Sequence, residues 1–300
     1  MRNGAGNCCE FVDLASELLP LLQARLSRPL DEQIREWQAF YGVHAPELPG
    51  RLYRDYEGVE GGWGKIATER IFPQLPALLD RMHAALSNIR AVYREIGELA
   101  AERLQLRSKV VIVAYVGLGN GAGWATRWEG NPAVLLGLEN IAELNWHDKE
   151  SLRGLLAHEI GHLLMMEVRG DIEGMTEDPL LSLYEEGFAQ HCEHVILRER
   201  TWHCASQEGW ADWCRTHERD LAREYLRSMD DRERWRRFFG SWFDVDGWRQ
   251  TGYYLGCLFI EELSATHELR ELAGWPEAQI REHALGFLTS VAHRSGQMGP

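Results

Sequence analysis

Apolar positions recur every three or four residues through much of the first hundred, in PLLQARL, DEQIREWQAFYG and PALLDRMHAALSNIRAVYREIGELAAERL. That spacing gives a helix one apolar face. Residues 10–107 are therefore predicted to be helical, with the longest helix from Pro76 to about Leu106 and breaks at Pro46, Pro49, Gly50 and GVEGGWG (58–64). At Lys109 the texture changes. VVIVAYV is short and rich in β-branched residues, so it predicts a strand, and WATRW and PAVLLGLE predict two more. Between them GLGNGAG (117–123) carries Asn120-Gly121, a hairpin-turn signal. From Asp148 the helical period returns in KESLRGLLAHEIGHLLMMEVRG, with Asp148 as cap and Gly170 as stop. LLSLYEEGFAQHCEHVILRER predicts a second helix, two or three more fall within 207–265, and another lies near 277–293. Helices, a small sheet, then helices predict an α+β, predominantly helical fold with a small, mostly antiparallel sheet. A domain boundary is placed between 1–107, a helical region, and 108–300, although nothing there reads as a linker.

Composition narrows the classes. Three hundred residues bury a real core without staples, and 45% hydrophobic with 26% charged residues excludes a disordered chain. Thirty-two basic against 46 acidic residues give a net charge of −14, a poor footing for nucleic acid or an anionic membrane. No secretory signal is expected from MRNGAGNCCEFVDLASELLP. The most apolar runs are about half of what a membrane span needs. The six cysteines (8, 9, 192, 204, 214, 257) contain no CxxC pair and read as reduced thiols. A cytoplasmic protein is the expectation. The glycine run does not read as a phosphate loop, because Ala122 breaks the GxGxxG spacing and no helix pattern follows.

His158-Glu159-Ile160-Gly161-His162 carries the chemistry. On a helix, residues four apart share a face, so His158 and His162 can offer two imidazoles to one metal ion, with Glu159 placed to act as base towards a metal-activated water. A catalytic zinc site usually has three protein ligands and an open position. Met165 and Val168 stand where the metzincin extension would need Gly and His. The third donor is then sought among Glu185 and Glu186 on the following helix and the acids Asp171 and Asp178. One and two turns beyond Glu186, Gln190 and Glu193 are placed to orient the imidazoles. His191, Cys192 and His194 cluster on the same helix, but residues one to three apart spread around its circumference, so no second metal is expected from them. His267, His283 and His293 are further candidates for a transition-state donor.

HEIGH followed by EGFA resembles the gluzincin metallopeptidases, distantly the catalytic domain of the M1 aminopeptidases and more nearly the small group of predicted zinc-dependent proteases. The resemblance covers about residues 109–262. It implies a gluzincin-like core around the HExxH helix, one Zn²⁺ ion, Glu186 as third ligand, and Tyr253 of Tyr253-Tyr254-Leu255-Gly256 as the donor to the tetrahedral intermediate. Gly137-Leu138-Glu139-Asn140 is similar to the segment that holds a substrate's free amine, which implies substrate binding at Gly137 and Glu139. The chain departs from the M1 pattern in its longer ligand gap, in Glu185 where that family has Asn, and in lacking a large β-rich N-terminal domain. The expectation is a zinc peptidase acting on a peptide or protein, possessing Glu159 as general base and needing no nucleic-acid or membrane partner. The alternative is a non-catalytic zinc-containing interaction or sensory protein, for which an intact Glu159 would have no purpose.

Overall fold

A computed structural model describes residues 9–170, 177–205, 207–240 and 243–294. In chain order the elements are β1 (Cys9–Asp13), α1 (Ala15–Arg25), α2 (Leu30–His44), α3 (Leu48–Arg54) and α4 (Gly62–Ile66). A π-helical turn (Ala67–Ile71) leads into α5 (Phe72–Arg103). Next come β2 (Val110–Tyr115), β3 (Gly123–Trp128), β4 (Asn131–Gly137), α6 (Leu138–Glu143), α7 (Lys149–Arg169) and α8 (Pro179–Leu197). They are followed by α9 (Trp210–Thr216), α10 (Glu218–Ser228), the single turn α11 (Arg232–Trp235), α12 (Thr251–Ser264), α13 (Leu269–Ala273) and α14 (Glu277–His293). The fold is α+β and predominantly helical.

Two compact units divide the chain. One comprises residues up to Glu98 together with Arg107–Leu156, the other Leu99–Leu106 together with residues from Ala157 onward. This division differs from a cut at 107–108. The strands group with the helices that precede them, and the dividing lines fall inside α5 and α7.

In the first unit the four strands lie in the order β1-β2-β4-β3. β1 runs parallel to β2, β2 parallel to β4, and only β3–β4 is antiparallel. The sheet is thus mixed, which corrects the expectation of a mostly antiparallel one. The cause is β1. Its five residues, CEFVD, are too few to stand out from a helical background, and their partners lie a hundred residues away. Parallel pairing needs a long crossover, and α1 to α5 supply it. Every residue of β2 is buried, the continuous apolar run expected of a strand covered on both faces.

The hairpin turn also falls elsewhere than predicted. Glu129 and Gly130, both with positive φ (49° and 80°), join β3 to β4 in a two-residue turn of the type that matches strand twist. Asn120-Gly121 instead lies in a loop fastened from the helices. Trp37 Nε1 and the Tyr41 hydroxyl donate to the Val116 carbonyl at 2.8 and 2.9 Å. The Tyr56 hydroxyl donates to Leu118 at 2.6 Å, and Asn120 donates to the Leu52 carbonyl at 2.9 Å.

The second unit is helical. Asp178 caps α8 by accepting from Leu180 N and Leu181 N, and Arg281 Nε donates to its other oxygen at 2.7 Å. Phe188, Phe259 and Leu288 are buried in its core, and the Tyr184 hydroxyl donates to the Leu272 carbonyl. Cys192, Cys204, Cys214 and Cys257 are free, buried thiols and Cys9 is buried, whereas Cys8 lies outside the described residues. Among the described residues no helix is long and apolar enough to cross a membrane.

Candidate metal centre

The local sequence builds α7 as read. Asp148 accepts from Ser151 N at 3.0 Å, and Gly170 ends the helix with φ 91°. His158 and His162 are one turn apart, with ring centroids 5.0 Å from each other. Glu186 reaches both from α8: its Oε2 lies 3.2 Å from His158 Nε2 and 3.6 Å from His162 Nε2. A tetrahedral zinc with Zn–N and Zn–O bonds near 2.0–2.2 Å has donor–donor edges of roughly 3.3–3.5 Å. The three residues therefore fit one metal ion in both donor type and spacing.

Three glycines make this convergence possible. A Cβ at Gly161 would lie 2.8 Å from Cys192 Cβ and 2.9 Å from Ala189 Cα, so α7 and α8 approach closely only because position 161 is bare. A Cβ at Gly187 would overlap the backbone of Gly256, and one at Gly256 would overlap the Leu183 carbonyl. The glycine following Glu186 and the glycine of Tyr-x-x-Gly are thus the two sides of one helix crossing. It brings Tyr253 beside the imidazoles, with ring centroids 5.4 Å apart from His158 and 6.3 Å from His203. Tyr254 faces away: its hydroxyl donates to Glu218 at 2.8 Å, and its ring stacks on Trp202.

The other acids have different occupations. Glu185 pairs with Arg169 at 3.4 Å, Asp178 caps α8, and Asp171 lies outside the described residues. Glu159 is buried, and its charge is felt at both His162 and Tyr253. Burial pulls the His158 imidazole down to about 4. At His162 burial also opposes the charged form, but Glu186, Glu159 and Glu185 outweigh it and raise the ring to about 9. Burial works to raise the Glu186 carboxyl, but His162 and His158 together outweigh it and hold the group well below the usual carboxylate range. Burial, then the Glu186 charge, pushes the Tyr253 phenol well up.

Of the two expected outer partners, Glu193 shares a donor cluster with His158, whereas Gln190 turns elsewhere. Gln190 donates to the Thr201 carbonyl at 3.0 Å and lies 3.2 Å from His194 rather than engaging the α7 imidazoles. Glu193 is fully buried. It accepts from Thr201 Oγ1 at 2.7 Å and lies 2.6 Å from His203 Nδ1. His158, Glu193 and His203 each bring a donor atom within 4.8 Å of the others, while His158 Nδ1 itself is buried with no hydrogen-bond partner. His203 is the residue that sequence reasoning missed, because it sits in a turn with no periodicity to mark it. His267, in the bend before α13, instead lies 2.9 Å from Glu271, and His283 and His293 contact the Gln279 and Thr289 carbonyls one turn back on α14.

Gly137 and Glu139 lie in the first unit, where they secure the loop after β2. Glu139 accepts from Gly117 N at 2.7 Å and from Gly119 N at 3.0 Å, one on each oxygen. Burial raises its carboxyl despite those bonds. A Cβ at Gly137 would lie 2.6 Å from the Gly121 carbonyl. These contacts occupy both residues structurally.

No family model matches the chain, and comparison with curated proteins and with solved structures returns no match.

Proposed function

We propose that this protein is a zinc-dependent peptidase with a gluzincin-like core. The convergence of His158, His162 and Glu186 beside Glu159 and Tyr253 is the observation that carries this reading. Held by those three donors, zinc would supply Lewis acidity and lower the pKa of a water molecule. Glu159 takes the proton of the attacking water and delivers it to the departing amine. The Tyr253 phenol, kept protonated by burial, donates to the carbonyl oxygen as it gains charge. The Gly187–Gly256 crossing fixes the spacing between Glu186 and Tyr253, so ligand and donor need not be assembled during the reaction. The substrate class is a peptide or protein.

The test is to count zinc in the purified chain and to assay a peptide library with wild type and Glu159→Gln. Zinc bound at His158, His162 and Glu186, with cleavage abolished by the substitution, supports the reading. Zinc-loaded protein that cleaves no peptide, or cleavage indifferent to Glu159, overturns it in favour of a non-catalytic zinc protein.

A further inference from the structure

A second donor cluster lies on the same helix, away from the imidazoles of α7. His191 and His194 on α8 and Cys257 and Glu261 on α12 each bring one donor atom within 4.8 Å of the others. Residues three apart on one helix and four apart on the other are neighbours on their faces. The two helices therefore present two donors each to a common point, which spacing along α8 alone did not predict. Cys192, the third candidate on α8, takes no part.

The tautomer of His194 follows from its surroundings. Thr201 presents a carbonyl oxygen 2.7 Å from His194 Nε2, and a carbonyl can only accept. The proton therefore sits on Nε2, and Nδ1 keeps its lone pair. That lone pair faces Cys257 Sγ at 3.6 Å and Glu261 Oε1 at 3.7 Å, and Cys257 Sγ lies 3.8 Å from Glu261 Oε1. Tetrahedral zinc with bonds near 2.0–2.2 Å to N and O and 2.3 Å to S has edges of roughly 3.3–3.7 Å. All three separations lie within a few tenths of an ångström of that range, long for a thiol hydrogen bond and suited to a shared cation. His191 Nδ1 is buried without a hydrogen-bond partner. The outer contacts are those of a supported site. Gln190 donates to the same Thr201 carbonyl, and Arg200 holds the other oxygen of Glu261 at 3.1 Å. A backbone carbonyl on the far nitrogen of a ligating histidine is the usual way its ring is oriented.

We propose that His191, His194, Cys257 and Glu261 form a second, structural zinc site that clamps α8 to α12. Four protein donors close the tetrahedron, which marks a structural rather than a catalytic centre. On binding, the Cys257 S–H bond breaks, a zinc–thiolate bond forms and the proton passes to solvent. One thiolate and one carboxylate then neutralise the dication. The proposal does not depend on peptidase activity.

Cobalt(II) is the probe, because a thiolate ligand gives it a near-ultraviolet charge-transfer band and the α7 centre has no thiolate. Metal-free full-length protein titrated with Co²⁺ is expected to show that band together with intense tetrahedral d–d bands, both abolished by excess Zn²⁺. The band is expected to vanish in Cys257→Ser, to persist in Cys192→Ser, and to persist in the double variant His158→Ala/His162→Ala, which separates this site from the first. His191→Gln, at a less buried position, is expected to weaken cobalt binding read at the band by at least about 100-fold, the upper end of what losing an outer partner costs. Folded, cobalt-loaded wild type without the band overturns the proposal. So does a band that survives Cys257→Ser, or unchanged affinity in His191→Gln.

Discussion

Two of the donor clusters that draw on α8, the one proposed as catalytic and the one proposed as structural, differ in what surrounds them. At the first, three donors, His158, His162 and Glu186, have as neighbours Glu159 and Tyr253, a carboxyl and a phenol that can accept or donate a proton. At the second, four donors are backed by Thr201, Gln190 and Arg200, which hold side chains in place and offer no general base. In the reading proposed above, one helix carries a donor set for chemistry and another for cohesion. The number of donors and the character of the nearest neighbours separate the two, not the donor types alone.

The contrast breaks most readily at Glu159. Glu159→Gln should lower kcat for peptide cleavage by about 10²–10⁴-fold, the usual worth of a positioned base, with bound zinc and Tm unchanged. Metal analysis beside steady-state kinetics checks this, and loss of zinc together with activity would make Glu159 a structural group. Tyr253→Phe should cost about 10²–10³-fold in kcat, as removal of one oxyanion donor does, with KM and zinc content preserved. Tyr254→Phe, whose hydroxyl serves Glu218, should leave kcat near wild type. Equal effects of the two would mean that the ring facing His158 is only packing.

Gly256→Ala tests what the clusters share. A methyl group driven into the Leu183 carbonyl should destabilise the fold by about 1–3 kcal/mol, the common range for overpacking, and weaken metal binding at both centres. Calorimetry with metal titrations would show it, and an effect confined to one centre would mean that the crossing does not set both. The smallest expected signal is a proton count. In the metal-free protein His158 is neutral at pH 7, Glu186 is ionised, and His162 stays protonated up to about 9. Because ligands bind deprotonated, zinc loading at the first centre of a Cys257→Ser variant should expel about one proton. Its affinity should rise with pH and level off above about 9. Calorimetry in two buffers of different ionisation heat would read that count, and zero release would contradict the assignment of the His162 charge.

Legibility in the sequence followed distance along the chain. His158, Glu159 and His162 lie within one turn, so helical spacing alone placed them on adjoining faces. Asp148, Gly170 and the long apolar period of α5 were legible for the same reason, since caps and periodicity are local. Glu186 is preferred to Glu185 in the sequence, and the resemblance implies the same choice. The packing reason appeared only in three dimensions, where Gly187 meets Gly256 and Arg169 takes Glu185. Strand β1 with its parallel ladder to β2, and the joining of His191 and His194 with Cys257 and Glu261, depend on partners about 60 to 100 residues apart. No local pattern encodes such pairings. At Glu139, whose motif implies substrate binding, the local sequence carries no sign that two backbone N–H groups of the glycine loop donate to its carboxylate.

The most direct test is a crystal of the zinc-soaked protein measured on both sides of the zinc absorption edge. An anomalous peak is expected about 2.0–2.2 Å from His158 Nε2, His162 Nε2 and one oxygen of Glu186, with a solvent molecule in the remaining position. An anomalous map with no peak among those three side chains, or with the ion held without Glu186, would contradict the proposed centre.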